Sequence, residues 1–348
     1  MLKYIASLAL AAMLPGSAFA ADAVPTPLEV PAKTLPVPTD ASPALRAFIA
    51  KPLNPDWNKL WKTGEEVRAY ADNQAADTVK TIPAMRDRLH VSVEATTMDG
   101  VRVHVLTPDV IPVENKDKVL IHVHGGCYVL FPGESGIPEG LIMAGDGHYK
   151  VISVDYQMPP EAYFPAAVDD AVTVYKSLLR TTPAKNIGVF GTSAGGALTL
   201  ELVLRAREQS LPLPGALASG TPMSDATKTG DSFYTNEKVD NVLVSRDGFC
   251  DAATVIYANG HDLADPLISP VNGDFHGFPP TILTTGTRDL LLSNTVRVDR
   301  KLRRAGVETR LQVYDGMSHA QYEFDDTMPE SKEAFGEIAM FFRDHLGR

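Results

Sequence analysis

Gly191-Thr192-Ser193-Ala194-Gly195-Gly196 constrains the fold of this 348-residue chain more than any other segment. Ahead of it, Asn186 to Phe190 is a short apolar run that predicts a buried strand. Behind it, Ala194 to Gln209 carries Ala197, Leu198, Leu200, Leu202, Val203 and Leu204 at helical spacing. A serine on so sharp a strand-to-helix turn has strained dihedrals, and bulky neighbours do not fit, which accounts for Gly191 and Gly195. The turn pushes the serine oxygen out of the sheet. The next backbone N–H then points toward an anion at the helix N-terminus. A G-x-S-x-G alone is a weak signal, and a helix-capping serine is its plain alternative. The strand before it, the helix after it and the partners below give it weight.

The wider pattern agrees. From Val119 onward, strand-like and helix-like segments alternate, which predicts a mostly parallel sheet covered on both faces. Before that, Leu89–Thr96 and Val101–Thr107 read as a hairpin closed by Asp99-Gly100. Ser42 to about Thr81 looks helical, with Trp57 and Trp61 four residues apart on one helical face. A long irregular stretch from Ser224 to about Phe278 interrupts the alternation.

A second chemical signal follows the apolar run Val119–Val123, where His124-Gly125-Gly126-Cys127 begins. Bare backbone N–H groups in such a loop reach a reacting carbonyl that side chains would block. The loop resembles the H-G-G-G oxyanion loop of lipases and esterases, with Cys127 in place of its third glycine. With the N–H of Ala194, those of Gly125 and Gly126 are the expected oxyanion donors.

The remaining motifs fit one family. Asp155-Tyr156-Gln157-Met158-Pro159-Pro160-Glu161 resembles D-Y-R-L-A-P-E, with Gln157, Met158 and Pro159 as departures. Phe164-Pro165-Ala166-Ala167-Val168-Asp169-Asp170 resembles F-P-A-A-x-x-D, and Asp265-Pro266-Leu267-Ile268-Ser269-Pro270 resembles D-P-x-x-S-P. Gly286-Thr287-Arg288-Asp289-Leu290-Leu291 and Gly316-Met317-Ser318-His319 resemble the segments that carry the family's acid and base. From about Leu89 to its C-terminus the chain resembles the hormone-sensitive lipase family of α/β-hydrolases, in the branch whose elbow reads G-T-S-A-G-G. The resemblance implies an α/β-hydrolase fold: a mostly parallel central sheet flanked by helices. It also implies a helical lid from about 42–81 and 226–260. Phe233, Tyr234, Val239, Val242, Leu243, Phe249, Ile256 and Tyr257 would form the lid's apolar underside. Tyr128 and Phe131, just past the oxyanion loop, are expected to wall the substrate pocket.

The chemistry of a triad can be placed on the chain. A serine hydroxyl needs a positioned base, an imidazole suits that task, and a carboxylate must orient the imidazole. α/β-Hydrolases order these Ser, Asp or Glu, His along the chain. Thr281–Thr285 reads as a late strand followed by Asp289, and Leu311–Tyr314 as another followed by His319. Ser193, Asp289 and His319 are therefore the expected nucleophile, acid and base. Asp262 and Asp265 compete for the acid role, but Asp265 matches a structural turn. His345 falls in a terminal helix and His276 in a Pro/Gly-rich loop.

Other residues receive plainer readings. His122 and His124 alternate along a strand, but no aspartate and histidine follow at metal-binding spacing, so no metal is expected; His124 reads as a loop-shaping residue that bonds backbone. Cys127 and Cys250 read as unpaired, largely buried thiols, since sequence does not give their separation. A formal charge of −11 offers no footprint for nucleic acid or anionic membranes. Lys3, the apolar run Ile5–Leu14 and Ser17-Ala18-Phe19-Ala20 read as a signal peptide, residues 1–20, cut after Ala20. The run is too short to span a membrane, and no lipoprotein cysteine follows, so no stable membrane anchor is expected. A Pro-, Ala- and Thr-rich leader, residues 21–41, then precedes a single domain, 42–348.

The sequence thus describes a periplasmic or secreted serine hydrolase that needs no cofactor. Its expected substrates are small-molecule carboxylic esters of short to medium acyl chains, or lactones. An amidase or deacetylase with the same triad, or a ligand-binding relative that has lost catalysis, are the alternatives. Oligomeric state stays open.

Overall fold

Asp99 and Gly100 both adopt left-handed dihedrals (φ 49° and 89°), the pairing that a two-residue hairpin turn requires. They join β1 (Val91–Met98) to β2 (Val101–Pro108) in full antiparallel register, Met98 opposite Val101. Beyond this hairpin the chain builds β3 (Val119–Val123), β4 (Lys150–Val154), β5 (Ile187–Thr192), β6 (Ala216–Gly220), β7 (Thr281–Gly286) and β8 (Thr309–Tyr314). The strand order is β1-β2-β4-β3-β5-β6-β7-β8, antiparallel at the first two pairings and parallel thereafter. This is the α/β-hydrolase sheet expected from the sequence. The structure, a computed structural model, describes residues 27–348; the signal peptide expected at residues 1–20 and the first part of the expected leader lie outside the described residues.

Ten α-helices accompany the strands among the described residues: α1 (Pro43–Ile49), α2 (Gly64–Val79), α3 (Ile82–Leu89), α4 (Pro138–Gly147), α5 (Ala166–Leu179), α6 (Ala194–Glu208), α7 (Ser232–Thr235), α8 (Phe249–Ala258), α9 (Leu292–Arg304) and α10 (Pro329–His345). Central strands are buried on both faces, so they read as continuous apolar runs, and successive residues feed opposite cores. Val119, Ile121, Val189 and Leu217 face a core shared with α5, α6 and α9. Leu120, Phe190, Ala218 and Ile282 face the other, shared with α3, α4 and α10.

The topology also fixes where a ligand can sit. From β3 the chain steps outward to β4, then crosses back to β5 on the other side of β3. That reversal opens a crevice beyond the carboxyl ends of β3 and β5, the usual binding position in open α/β sheets. The segment predicted as helical from Ser42 to Thr81 is instead α1, an irregular stretch through residues 51–62, and α2. Trp57 and Trp61 therefore share no helical face. Trp61 packs its ring 5.0 Å from Tyr70 of α2 and 6.2 Å from Phe249 of α8.

Candidate active site

Strand β5 ends at Thr192 and α6 begins at Ala194, so Ser193 alone makes the turn, with φ 63° and ψ −120°. Left-handed backbone strains a non-glycine residue and persists only where the surroundings over-determine it. Here they do. A Cβ on either Gly191 or Gly195 would collide with the carbonyl oxygen of Val123, so both must be glycine. The Ser193 N–H donates to the Gly220 carbonyl at 2.9 Å, and its own carbonyl accepts from Met223.

The loop after β3 comes alongside. Gly125 approaches so closely that a Cβ would lie 2.8 Å from the Thr192 carbonyl oxygen. Gly126, Cys127 and Tyr128 are three successive left-handed residues (φ 99°, 54° and 65°), and they turn the chain sharply. Gly125, Gly126, Ser193 and His319 all line one cavity of about 310 Å³. Ala194, the third expected oxyanion donor, is the buried first residue of α6, directly after Ser193.

The carboxylate and imidazole arrive on loops after β7 and β8. Asp289 is fully buried, and its Oδ1 lies 3.1 Å from His319 Nδ1. Its other oxygen accepts from the hydroxyls of Thr221 and Thr285, and the Leu291 N–H donates to Oδ1 at 2.8 Å. Burial opposes ionisation of Asp289, but His319 and these donors outweigh it and hold the carboxyl below its ordinary range. Asp265 and Asp262 are occupied in their own turn, where they cap the N–H groups of Leu267 and Ala264.

Two expectations about this site are corrected. Tyr128 does not wall the cavity: the sharp turn sends its ring into the core, stacked 4.4 Å from Tyr257, with its hydroxyl on buried Glu201 at 2.7 Å. Phe131 does line the cavity. Cys127 and Cys250 are not free thiols but a disulfide with Cα atoms 5.4 Å apart, across 123 residues of sequence. It ties the loop bearing Gly125 and Gly126 to α8.

Both segments expected to form the lid reach the cavity. Tyr70, Gln74 and Thr78 come from α2, and Val242, Leu243 and Phe249 from the later segment. Of the other residues assigned to the lid's underside, Tyr234 is exposed and Tyr257 belongs to the core.

His122 and His124 part company because β3 ends at Val123. His124 bonds the Gly125 carbonyl through Nδ1 at 2.8 Å and stacks on Tyr156 at 4.2 Å; burial lowers its pKa to about 4. His122 bonds Ser153 and Glu139, and Glu139 in turn accepts from Thr192, the residue before Ser193. Thr221, Thr285 and Glu139 carry no sequence pattern that would have singled them out.

The comparisons with known proteins decide the family. Residues 120–323 match the model of a family described as having the alpha/beta hydrolase fold. The chain is an α/β-hydrolase of the hormone-sensitive lipase type. The hydrolase is 32% identical to an esterase of Acinetobacter venetianus over 227 residues, 64% of this chain and 74% of that one. It superposes on the crystal structure of an esterase at TM-score 0.88 with 44% identity, covering 92% of this chain and 99% of the other. A crystallised esterase from the bacterial hormone-sensitive lipase family shares 28% identity at TM-score 0.74, over 88% of this chain and 99% of that one.

Proposed function

We propose that this carboxylic ester hydrolase acts outside the cytoplasm on short- and medium-chain acyl esters or lactones, through an acyl-enzyme on Ser193. His319 takes the serine proton as the hydroxyl attacks the ester carbonyl, then gives it to the departing alcohol. Asp289 holds the imidazole by Nδ1 and stabilises its protonated form. The N–H groups of Gly125, Gly126 and Ala194 receive the oxyanion, each such donor contributing about 3–4 kcal/mol to the transition state. Water, activated by the same imidazole, then releases the acid.

The observation that carries this reading is the convergence of Ser193, His319, Gly125 and Gly126 on one cavity, with Asp289 buried behind the imidazole at 3.1 Å. The preference for compact acyl groups is supported by the cavity's boundaries. Phe131, Phe249 and Tyr70 line it with rings, and its volume is about 310 Å³. Forcing extra methylenes into a filled apolar site costs about 1–3 kcal/mol, or roughly five- to two-hundredfold in kcat/KM. Export is supported by the disulfide, since such bonds persist in oxidising compartments.

A fluorophosphonate probe and a graded series of p-nitrophenyl esters test the reading together. The probe is expected to label Ser193 alone. Ser193→Ala and His319→Ala should each lose at least about ten-thousandfold in kcat, and Asp289→Asn somewhat less, because the triad acts as a unit. Turnover should favour acyl chains below about eight carbons, and Phe131→Ala should extend the range upward. Labelling at another serine, or an active Ser193→Ala protein, would sink the assignment. Equal turnover of palmitoyl esters would remove the size preference alone.

A further inference from the structure

The segment between α7 and α8 contributes to the cavity wall on one side. On its other side it grips the two loops that carry the acid and the base. The Asn236 side-chain amide donates to the backbone carbonyls of Thr287 at 3.2 Å and Asp289 at 2.8 Å. Asp240 is fully buried four residues later. Its Oδ1 accepts from the N–H groups of Val242 (2.8 Å) and Leu243 (3.2 Å), and its Oδ2 from those of Leu290 (2.8 Å) and His319 (3.3 Å). One carboxylate therefore ties together the lid segment, the acid loop and the base loop. Both of its oxygens are spent on backbone donors, which makes it a joint rather than a reactive group.

We propose that Asp240 is a positioning residue for catalysis, fixing the backbones beside Asp289 and His319 in register while it seats Val242 and Leu243 at the cavity wall. The inference rests on the Ser193–His319–Asp289 reading above. Its physical basis is that Asp289 and His319, unlike Ser193, sit on separate loops with no strand or helix to hold them. An error of about 1 Å in such a constellation can cost up to about a hundredfold in rate. The four N–H groups that converge on Asp240 belong to the residue after the acid, the base itself and two residues of the wall. A neutral apolar side chain there would orphan all four, and each buried orphan is costly. A carboxylate is an expensive way to satisfy them. Burial, and then the nearby charge of Asp289, raise its pKa to about 6. That cost sits at a point where the lid segment and both catalytic loops meet, which is where strain and function are expected to coincide.

The test compares the wild-type protein with Asp240→Asn and Asn236→Ala. For each, kcat and KM are measured with p-nitrophenyl butyrate, together with the rate of fluorophosphonate labelling at Ser193 and the thermal melt. A folded Asp240→Asn protein is expected to lose up to about a hundredfold in kcat, with KM near the wild-type value and labelling slowed in parallel. Asn236→Ala should move the same quantities in the same direction by less. A residue that only supports the fold would lower the melting temperature and leave kcat and labelling of the folded fraction unchanged; that result overturns the proposal. So does a loss confined to KM. If Asp240→Asn does not fold, Asn236→Ala decides by the same readouts. A wild-type protein that resists labelling at Ser193 would sink the triad reading, whereas wild-type rates in the variants beside a labelled wild type would sink only the positioning role.

Discussion

At the scale of single residues, Glu201 shows how burial decides behaviour. It lies on α6, fully buried, with one oxygen on the Tyr128 hydroxyl and the other, Oε2, without a hydrogen-bond partner. Burial, partly offset by the tyrosine, pushes its carboxyl well above the ordinary range. A carboxyl that binds its proton more tightly when folded gives full stability below its unfolded pKa, and that stability is lost as pH rises toward the folded value. Glu201→Gln keeps an oxygen for Tyr128 and cannot ionise. The variant's melting temperature, relative to wild type, should therefore rise between mildly acidic and mildly alkaline buffer. A difference that stays constant with pH would show that the folded carboxyl is already ionised across this interval, against the raised pKa. The same tyrosine explains a limit on reading single residues from sequence. Tyr128 and Phe131 are three positions apart in one loop, yet only Phe131 faces the cavity. The run of left-handed residues that separates their directions is a property of the folded turn, not of either side chain.

At the scale of elements, legibility followed locality. Strands and helices whose apolar spacing is set by neighbours in sequence, such as β3, β5 and α6, stand where the pattern puts them. So does the hairpin closed by Asp99-Gly100, because the turn chemistry is local. The stretch through residues 51–62 departs from its helical reading: it holds Pro52 and Pro55, and Trp61 packs against rings from α2 and α8 instead of a helical neighbour. The disulfide was beyond reach for the same reason, since 123 residues separate its cysteines. Asp240 lies in an irregular segment whose partners are distant in sequence, and no motif marks it. The disulfide gives the element-scale prediction. Closing so long a loop restricts the unfolded chain, an effect of about 2–5 kcal/mol for native disulfides. Reduction, or the double change Cys127→Ala with Cys250→Ala, should lower the urea midpoint by a corresponding amount. A midpoint that reduction leaves in place would mean that α8 and the loop are held by packing alone.

At the scale of the whole molecule, residues 37–348 form one compact unit, and among the described residues no helix is long and apolar enough to cross a membrane. The export proposal belongs here. N-terminal sequencing of the natural protein is expected to begin at Ala21, in an extracytoplasmic fraction. An intact Met1 with activity confined to the cytosol would refute it, and the disulfide would then need another account. The sheet makes the rest of the molecule subordinate to one junction. Strands β3 and β5 are paired in parallel, Val119 opposite Ile187, and everything said of nucleophile and oxyanion loop depends on what stands between their ends. Prominent among what stands there is the peptide oxygen of Val123, against which both Gly191 and Gly195 are pressed, while Gly125 is pressed against that of Thr192. The Val123 oxygen acts as a hard stop. It sets the gap between serine and loop by contact of incompressible backbone, so neither glycine can be exchanged and then rescued by changing the other. A designer who sought a wider gap by sliding β3 one residue along β5 would turn every side chain of the central strand to the wrong face.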